Sequence, residues 1–254
     1  MAGSVKAKQF LLSELSVMRL LYSSDSSKIF LVKHEGMEYC LKVFHVNKDP
    51  GFTSKGRDLC HYCCEIEAYK LLSAAICKQG FVPQLHALFE DIDPLTPMLT
   101  PHLNIFLHDL YHPCAILLEY LLHAKPLNCE NYTQHRIKKA ILGIQAVHCA
   151  RVVHNDPYLK NVLIVPGMPS NGIDDRVVWI DFDIALNFGS MKVGWLKYDE
   201  NVEAAFEKRL VESYGKMLEE DRGRASRRIR NSTDGQAVFD SPLGENHPFL
   251  LVTD

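Results

Sequence analysis

Two short apolar runs separated by a polar loop constrain this chain more than any other feature. Val162–Val165 and Val177–Ile180 are strand-like, and the loop between them is rich in Pro, Gly, Ser and Asp, which predicts a β-hairpin. Asp156 and Asn161 stand before the first run, and Asp181 directly follows the second. Because antiparallel pairing brings the start of one strand beside the end of the other, we expect these three side chains to converge.

The three side chains suit one kind of chemistry. A carboxylate can accept the proton of a hydroxyl group, whereas a carboxylate together with an amide oxygen suits a hard cation such as Mg²⁺. The sequence therefore predicts a base beside a magnesium site at one end of the hairpin.

The residues around the hairpin read H-N-D-x-x-x-x-N from His154 and I-D-F-D from Ile180. This string resembles the catalytic loop and metal-binding motif of the protein-kinase-like superfamily, whose usual forms are H-R-D-x-x-x-x-N and D-F-G. The D-F-D form is more similar to the aminoglycoside phosphotransferase and choline kinase branch and to small fungal kinase-like proteins. The resemblance spans roughly residues 17–215. It implies an α+β, bilobal protein-kinase-like fold, with a small β-rich N-lobe and a reduced, mainly α-helical C-lobe.

The resemblance also implies roles for the residues of the motif. Asp156 would orient the acceptor hydroxyl and take its proton, while Asn161 and Asp181 would hold Mg²⁺ across the β- and γ-phosphates of ATP. Lys160 would neutralise the γ-phosphate or remain a solvated loop lysine. Asp183, at the position of the glycine of D-F-G, would add a second metal contact or cap the next turn.

A lysine upstream completes the expected set. Y-C-L-K, ending at Lys42, matches the position of V-A-I-K, whose lysine holds the α/β-phosphates. Alternation puts Cys40 and Lys42 on one face of the predicted strand, where an ammonium needs an anion; the alternative is a surface lysine on an edge strand. Glu65, preferred to Glu67, would pair with Lys42, and a solvated helix face is the other interpretation of these glutamates.

Further nucleotide contacts follow from the same resemblance. They would come from apolar side chains near the adenine and from main-chain groups in the passage between the lobes. These residues are Ile29, Cys40, Glu119, Leu121 and Leu163.

The turn expected to cover the phosphates departs from the family pattern. Ser23–Ser27 reads S-S-D-S-S and contains no glycine, although glycines normally let backbone N–H groups approach the phosphates. Serine hydroxyl and amide groups would have to donate instead, with Asp25 pointing away.

Apolar patterning gives the other elements and the domain limits. We expect an extension at 1–16, an N-lobe at 17–121 with an insertion at 90–113, a C-lobe at 122–220 and a basic, flexible tail at 221–254. The predicted strands are Val17–Tyr22, Ile29–His34, Met37–Phe44, Phe81–Phe89 and Cys114–Leu121, and the predicted helices are Leu59–Ile76, Asn131–Cys149 and Tyr198–Glu220. The last helix would bury a stripe formed by Val202, Phe206, Leu210, Tyr214 and Met217.

Composition excludes several classes of protein. With 47% hydrophobic and 23% charged residues the chain can bury a core, and a net charge of −3 predicts no affinity for nucleic acid or anionic membranes. No run approaches the roughly 18 apolar residues of a membrane span. The apolar start is interrupted by Ser13 and Glu14, so we expect no signal peptide and an intracellular, cytoplasmic or nuclear location.

Eight cysteines raise the question of a disulfide or metal framework. Cys60 and Cys63 form a C-x-x-C, but no second pair follows at zinc spacing. Reduced, buried thiols and a structural zinc site are the two interpretations, of which the pattern favours the first.

The sequence thus predicts an ATP- and Mg²⁺-dependent phosphotransferase acting on a hydroxyl of a protein or of a small molecule. No A-P-E-like segment follows the D-F-D motif, which indicates a shortened large lobe. The alternative is a pseudokinase that uses the fold as a nucleotide-binding or scaffold module. The sequence does not specify the acceptor or the oligomeric state.

Overall fold

The computed structural model is a mixed α+β chain and describes residues 10–72, 74–96, 102–167, 172, 174–190 and 195–232. The chain divides into two compact units, Met1–Asp49 with Gln84–Tyr120 and Pro50–Pro83 with Leu121–Asp254. The predicted limits put 17–121 in one lobe, whereas residues 50–83 cluster with the second unit. Among the described residues, no helix combines the length and the apolar character that crossing a membrane requires.

An antiparallel sheet of five strands builds the first unit. The strands are β1 (Ser16–Ser23), β2 (Ser27–His34), β3 (Met37–Phe44), β4 (Leu85–Phe89) and β5 (Cys114–Glu119), in the order β1-β2-β3-β5-β4. The five predicted strands are confirmed, but the fourth begins at Leu85 and not at Phe81. Phe81 belongs to the second unit, where its carbonyl accepts a hydrogen bond from the Trp179 N–H at 2.8 Å.

The segments that flank this sheet are packed against its core. Residues Leu12–Glu14 form a 3₁₀ turn, and Leu15 after them is fully buried with Phe30 and Leu41. The predicted extension therefore joins the fold from residue 10 onward, and residues 1–9 lie outside the described residues.

The proline-rich segment 90–113 is also part of this core. Its 3₁₀ helix Asn104–His108 buries Phe106, and Leu103 before it is 1% exposed in the same apolar cluster. His45 Nδ1 lies 2.9 Å from an Asp109 oxygen, which ties the segment to the end of β3. The predicted insertion thus contributes packing, with 97–101 outside the described residues.

The second unit carries the helices and the hairpin. Its helices are α1 (His61–Leu71), α2 (Ala74–Lys78), α3 (Gln134–Cys149) and α4 (Glu200–Ser232). Its strands are β6 (Lys125–Pro126), β7 (Val152–Val153), β8 (Val162–Val165), β9 (Arg176–Trp179) and β10 (Leu186–Asn187), paired as β6-β8-β9 and β10-β7.

The hairpin β8–β9 is held against α3. Its register runs from Val162↔Trp179 to Val165↔Arg176, so the predicted antiparallel pairing is confirmed with the second strand starting one residue earlier. Trp179 is fully buried, and its indole N–H donates to the Ala140 carbonyl at 2.9 Å. A Cβ at Gly143 would lie 2.9 Å from the Trp179 ring, so glycine is what lets α3 approach β9 this closely.

The predicted helix Leu59–Ile76 is in fact two helices. Leu72 leaves the helical conformation with φ −71° and ψ 62°, and its carbonyl accepts a hydrogen bond from Cys77 Sγ at 3.3 Å. The thiol is thus the hydrogen-bond donor to the Leu72 carbonyl. A short second helix, α2, starts at Ala74.

The prediction for α4 ended the helix too early, and of its predicted stripe Tyr214 is buried whereas Val202, Phe206 and Met217 are exposed. The helix continues past Glu220 to Ser232, and residues 233–254 of the predicted tail lie outside the described residues. The predicted stripe is largely exposed, with Val202 58% and Phe206 53% accessible. Steps of four residues drift roughly 40° per step around a helix with 3.6 residues per turn, so that stripe leaves the buried side. The buried residues, spaced 4, 3 and 4, are Glu207, Val211, Tyr214 and Leu218.

Candidate functional site

Pairing of β8 with β9 brings the two halves of the motif together. Asn161, just before β8, accepts a hydrogen bond from the Ile180 N–H at its carbonyl, with an N···O distance of 3.0 Å. Asp181 is the next residue. The backbone therefore brings the positions of Asn161 and Asp181 together at one end of the hairpin, as expected.

Asp156 is bound to this end of the hairpin by the side chain of Asn161. Nδ2 of Asn161 donates to Asp156 Oδ2 and to the Asp156 carbonyl, each at 2.9 Å. Asn161 is 2% exposed, whereas the Asp156 side chain keeps 17% of its surface. The amide is fixed as a donor toward Asp156, which turns its oxygen Oδ1 away from that carboxylate.

Lys160 supplies the positive charge beside this carboxylate. Its Nζ lies 2.8 Å from Asp156 Oδ2, and its side chain is 39% exposed. The sequence left Lys160 as a phosphate ligand or a solvated lysine; in the structure it forms an ion pair with Asp156.

His154 supports the H-N-D loop through main-chain hydrogen bonds. The ring is fully buried, Nε2 donates to the Ile180 carbonyl at 2.9 Å, and Nδ1 accepts from the Asp156 N–H at 3.4 Å. The ring also packs against Phe182 of the D-F-D motif, with centroids 4.8 Å apart. Both ring nitrogens are engaged by main-chain groups, so His154 has a structural role.

Glu207 on α4 was missed by sequence reasoning. Its carboxylate, 3% exposed, accepts from the His154 N–H at 3.1 Å and from the Asn155 N–H, and lies 2.8 Å from His148 Nε2. A buried carboxylate needs such donors, because ionised groups without partners are very unfavourable in a protein interior. Glu207 lay off the predicted stripe; the one signal was its spacing of four and seven residues before Val211 and Tyr214, which puts it on the same helix face.

Two residues of the site have backbone conformations that few side chains tolerate. Asn155 has φ 65° and Asp181 has φ 69°. Asn and Asp are the non-glycine residues that most readily adopt this left-handed region. Asn155 is further held by its Nδ2, which donates to the Ile184 carbonyl at 2.9 Å.

A buried tyrosine on α4 is close to the acidic loop. Tyr214 is 9% exposed, and burial, with smaller effects of Tyr158 and Asp156, raises the pKa of Tyr214 to about 12. Its hydroxyl has no hydrogen-bond partner within the described part of the chain. The phenol therefore stays protonated at neutral pH.

The second carboxylate of the D-F-D motif contacts α1. Asp183 Oδ2 lies 3.1 Å from His61 Nδ1, and the Asp183 side chain is 16% exposed. The sequence offered a metal contact or a turn cap for Asp183; the structure adds a contact with a histidine at the start of α1.

Of the two glutamates weighed on α1, one is buried and one is solvated. Glu65 is 1% exposed, whereas Glu67 is 37% exposed and pairs with Lys70 one turn later. The solvated interpretation thus holds for Glu67. Because Lys42 belongs to the first unit and Glu65 to the second, the pairing of Lys42 with Glu65 stays a prediction.

The lysine expected to bind phosphates is not a surface residue. Lys42 lies on β3, between β2 and β5 and not at an edge, and is 4% exposed with Nζ 5.0 Å from the Phe44 ring centroid. It pairs directly with Ile29 on β2, and Cys40 shares its face two residues earlier. Three of the predicted nucleotide contacts therefore share one face of this sheet.

The predicted adenine contacts of the second unit also lie together. Leu163, 2% exposed, forms an apolar cluster with Val178 and Ile180, against which Leu121 packs. In the first unit, the Glu119 N–H donates to the Gln84 carbonyl at 2.8 Å. This N–H group is therefore engaged within the sheet region.

The serine turn between β1 and β2 is closed by its own groups. The Ser24 N–H donates to the Ser27 carbonyl at 2.9 Å, and Ser24 Oγ accepts from the N–H groups of Ser26 and Ser27 at 3.3 and 3.1 Å. No residue from Ser23 to Ser27 has a positive φ, so the turn needs no glycine. The amide donors expected to serve a phosphate are used inside the turn.

The chain was compared with protein families and with curated proteins. No protein-family model matches the chain, and no curated protein matches it either.

Proposed function

We propose that this chain is an ATP- and Mg²⁺-dependent phosphotransferase of the protein-kinase-like type, which transfers the γ-phosphate of ATP to a hydroxyl group. The observation that carries the proposal is the junction at Asn161. Its side chain donates to Asp156 at 2.9 Å, while its carbonyl accepts from the residue before Asp181 at 3.0 Å. One carboxylate, one amide and a second carboxylate are thereby joined at one end of the hairpin.

The donors present fit a magnesium ion. Nδ2 of Asn161 is turned to Asp156, so Oδ1 would face the ion, and Asp181 would add carboxylate oxygens. A bound ion would neutralise charge on the β- and γ-phosphates. Asp181 adopts a left-handed backbone that asparagine tolerates as well, which guides the choice of variants below.

Asp156 would receive the proton of the acceptor hydroxyl. Its Oδ2 is held by both Asn161 and Lys160, and its side chain remains partly accessible. Lys160, with its flexible stem and 39% exposure, would move from Asp156 to the transferred phosphoryl group. The buried phenol of Tyr214 would act as a nearby hydrogen-bond donor.

Roles in nucleotide binding rest on the resemblance. Lys42 would hold the α/β-phosphates, with Ile29 and Cys40 on its face of the sheet against the adenine. Leu163 would contribute an apolar side chain from the cluster of the second unit, and Glu119 and Leu121 would contribute main-chain groups.

One observation favours a second candidate function, a pseudokinase that binds nucleotide or a partner without turnover. The serine turn uses the N–H groups of Ser24, Ser26 and Ser27 internally, so it offers few donors to phosphates. The phosphotransferase would turn over ATP, whereas the pseudokinase would bind its ligand without turnover.

Measurement of Mg²⁺-dependent ATP turnover by wild type, Asp156→Asn and Asp181→Asn tests the proposal. Asparagine keeps the shape of aspartate and the left-handed backbone at 181 but removes the charge. Loss of the base in Asp156→Asn should lower turnover about 10²–10⁴-fold. Loss of the Asp181 charge should raise the Mg²⁺ concentration at which turnover is half-maximal. Glu212→Gln, the same change on the exposed side of α4, is the control and should match wild type.

Equal, background-level turnover by wild type and Asp181→Asn would reject the enzyme. In that case, thermal stabilisation by ATP without turnover would favour the pseudokinase. A panel of acceptors, with peptide hydroxyls in one arm and amino-alcohols and sugars in the other, identifies the acceptor class.

A further inference from the structure

Two thiols meet at the first turn of α1. Cys60 is the N-cap of the helix, and the N–H of Cys63 donates to Cys60 Sγ at 3.4 Å. The N–H of Cys60 itself donates to Asp58 Oδ1 at 2.8 Å, which fixes the cap residue. The Cys60 sulfur therefore lies at the backbone of Cys63, and side chains at i and i+3 are neighbours on a helix surface.

The two thiols are not chemically equivalent. The Cys63 thiol hydrogen-bonds to the Cys60 sulfur and, together with the N–H groups of the helix start, lowers the pKa of Cys60 to about 6. The same hydrogen bond raises the pKa of Cys63. The N-cap cysteine is therefore the one of the pair whose deprotonation the helix start favours.

The third cysteine of the segment is set apart from this pair. Cys64 is 2% exposed, its Sγ donates to the Asp58 carbonyl at 3.2 Å, and burial raises its pKa to about 12. Of three cysteines within five residues, only Cys60 and Cys63 have the contact and reactivity of an exchanging pair.

Small molecules can reach the pair. Cys63 is exposed and Cys60 is partly exposed; a cavity next to them is lined by Cys63 and Cys64 but not by Cys60, so Cys60 is reached from the solvent side. A low-pKa cysteine at a helix N-terminus, with a second thiol three residues on, is the arrangement that favours thiol–disulfide exchange.

We propose that Cys60 and Cys63 form a dithiol exchange site, which reacts with a small-molecule disulfide of the glutathione type and closes to an intramolecular disulfide. The site is independent of the phosphotransferase proposed above. It requires neither ATP nor the Asp156 loop.

The exchange balances in two steps. The Cys60 thiolate attacks one sulfur of the small disulfide, forms a mixed disulfide and expels one thiolate, which takes a proton from solvent. Cys63 then loses its proton and attacks the Cys60 sulfur, which expels the second small thiol. The two cysteines lose two electrons and two protons in total, and the small disulfide gains them as two thiols.

Peptide mapping of the full chain after equilibration in glutathione buffers tests the proposal. Trypsin releases 58–70, which contains Cys60, Cys63 and Cys64. In oxidising buffer we expect this peptide to be lighter by two hydrogens, with alkylation only at Cys64. Cys63→Ala should stop at a mixed disulfide on Cys60, and Cys149→Ala, a control at another exposed cysteine, should behave as wild type.

The pH dependence of Cys60 alkylation gives a second readout. The rate should rise with a midpoint near pH 6 in wild type, since the thiolate is the reactive form, and the midpoint should move upward in Cys63→Ala. Cys63 is an exposed helix position that alanine suits, so the variant should fold.

Three outcomes would overturn the proposal. They are a wild-type midpoint close to that of an ordinary thiol, about 8.5; a disulfide that uses Cys64; and stoichiometric zinc retained by wild type but not by Cys63→Ala.

Discussion

The serine turn and the H-N-D loop are both compact polar segments, but they are stabilised in opposite ways. In the turn, the N–H groups of Ser24, Ser26 and Ser27 all donate to oxygens of Ser24 or Ser27, within three residues, and one long-range bond runs from the His45 N–H to the Ser26 carbonyl at 3.0 Å. The loop instead takes its hydrogen bonds from far along the chain. Its backbone donates to Glu207 and its side chains to the carbonyls of Ile180 and Ile184.

This difference decides which polar groups of each segment remain available to bind a ligand. A turn that satisfies its own N–H groups depends little on distant residues for its donors, but it offers few donors to a ligand. A loop fixed by distant residues can leave a functional carboxylate partly accessible, as with Asp156. Its geometry then depends on the whole unit, and substitutions far from the loop should affect it.

The largest effect is expected from Glu207→Ala. The change removes the acceptor for two loop N–H groups and for His148 Nε2, and breaking a buried pair costs about 3–5 kcal/mol. Urea unfolding followed by tryptophan fluorescence reports on the second unit, because Trp179 and Trp195 both belong to it. Glu212→Ala on the exposed face should lose little stability; equal losses in both variants would show that the loop does not depend on Glu207.

A smaller effect is expected from Asn155→Ala. Alanine in the left-handed conformation costs about 1–2 kcal/mol, and the hydrogen bond to the Ile184 carbonyl is lost as well. Asn155→Gly removes the hydrogen bond without the backbone strain, so it should lose roughly half as much stability. If both variants unfold at the same urea concentration, the strain at this position contributes nothing.

Ser24→Ala should cost about 1 kcal/mol and act only locally. It deletes the oxygen that accepts from the Ser26 and Ser27 N–H groups, while the backbone bond of the turn remains. Amide hydrogen exchange in β1 and β2 should become faster, with no change at the H-N-D loop. Ser23→Ala is the control, because the Ser23 hydroxyl makes an exposed contact with the side chain of Lys28. Altered amide exchange in the H-N-D loop of Ser24→Ala would show that the effect of the turn is not local.

The smallest change in stability is expected from Lys160→Ala. Its ion pair with Asp156 is partly exposed, and such pairs contribute about 0–1 kcal/mol. Turnover should nevertheless fall at least about tenfold if Lys160 assists phosphoryl transfer. Lys208→Ala, which removes a comparable exposed pair on α4, should leave turnover unchanged.

The sequence predicted well where local patterning alone determines structure. The five strands of the first unit and the hairpin at Val162 follow from alternation and turn residues, and the register brings Asn161 to Ile180 as expected. The H-N-D and D-F-D motifs also located the polar cluster around Asn161.

Prediction failed where long-range contacts override the local pattern. Apolar spacing on α4 pointed to Val202 and Phe206, yet the buried face includes Glu207, which apolar patterning rejects. Its burial makes sense only once the donors of His148 and of the loop are known. Likewise, the break after Leu71 depends on the Cys77 thiol meeting the Leu72 carbonyl, which no periodicity encodes.

The dependence of the H-N-D loop on Glu207 has a consequence for synthesis on the ribosome. The loop residues leave the exit tunnel some fifty positions before the carboxylate that fixes them, since the two hydrogen bonds span 53 and 52 residues. A chain released before residue 207 would contain the complete motif and still lack the acceptor for its backbone. The loop is therefore among the last parts of this unit to reach its final geometry, and early termination removes its support without deleting any residue of the motif.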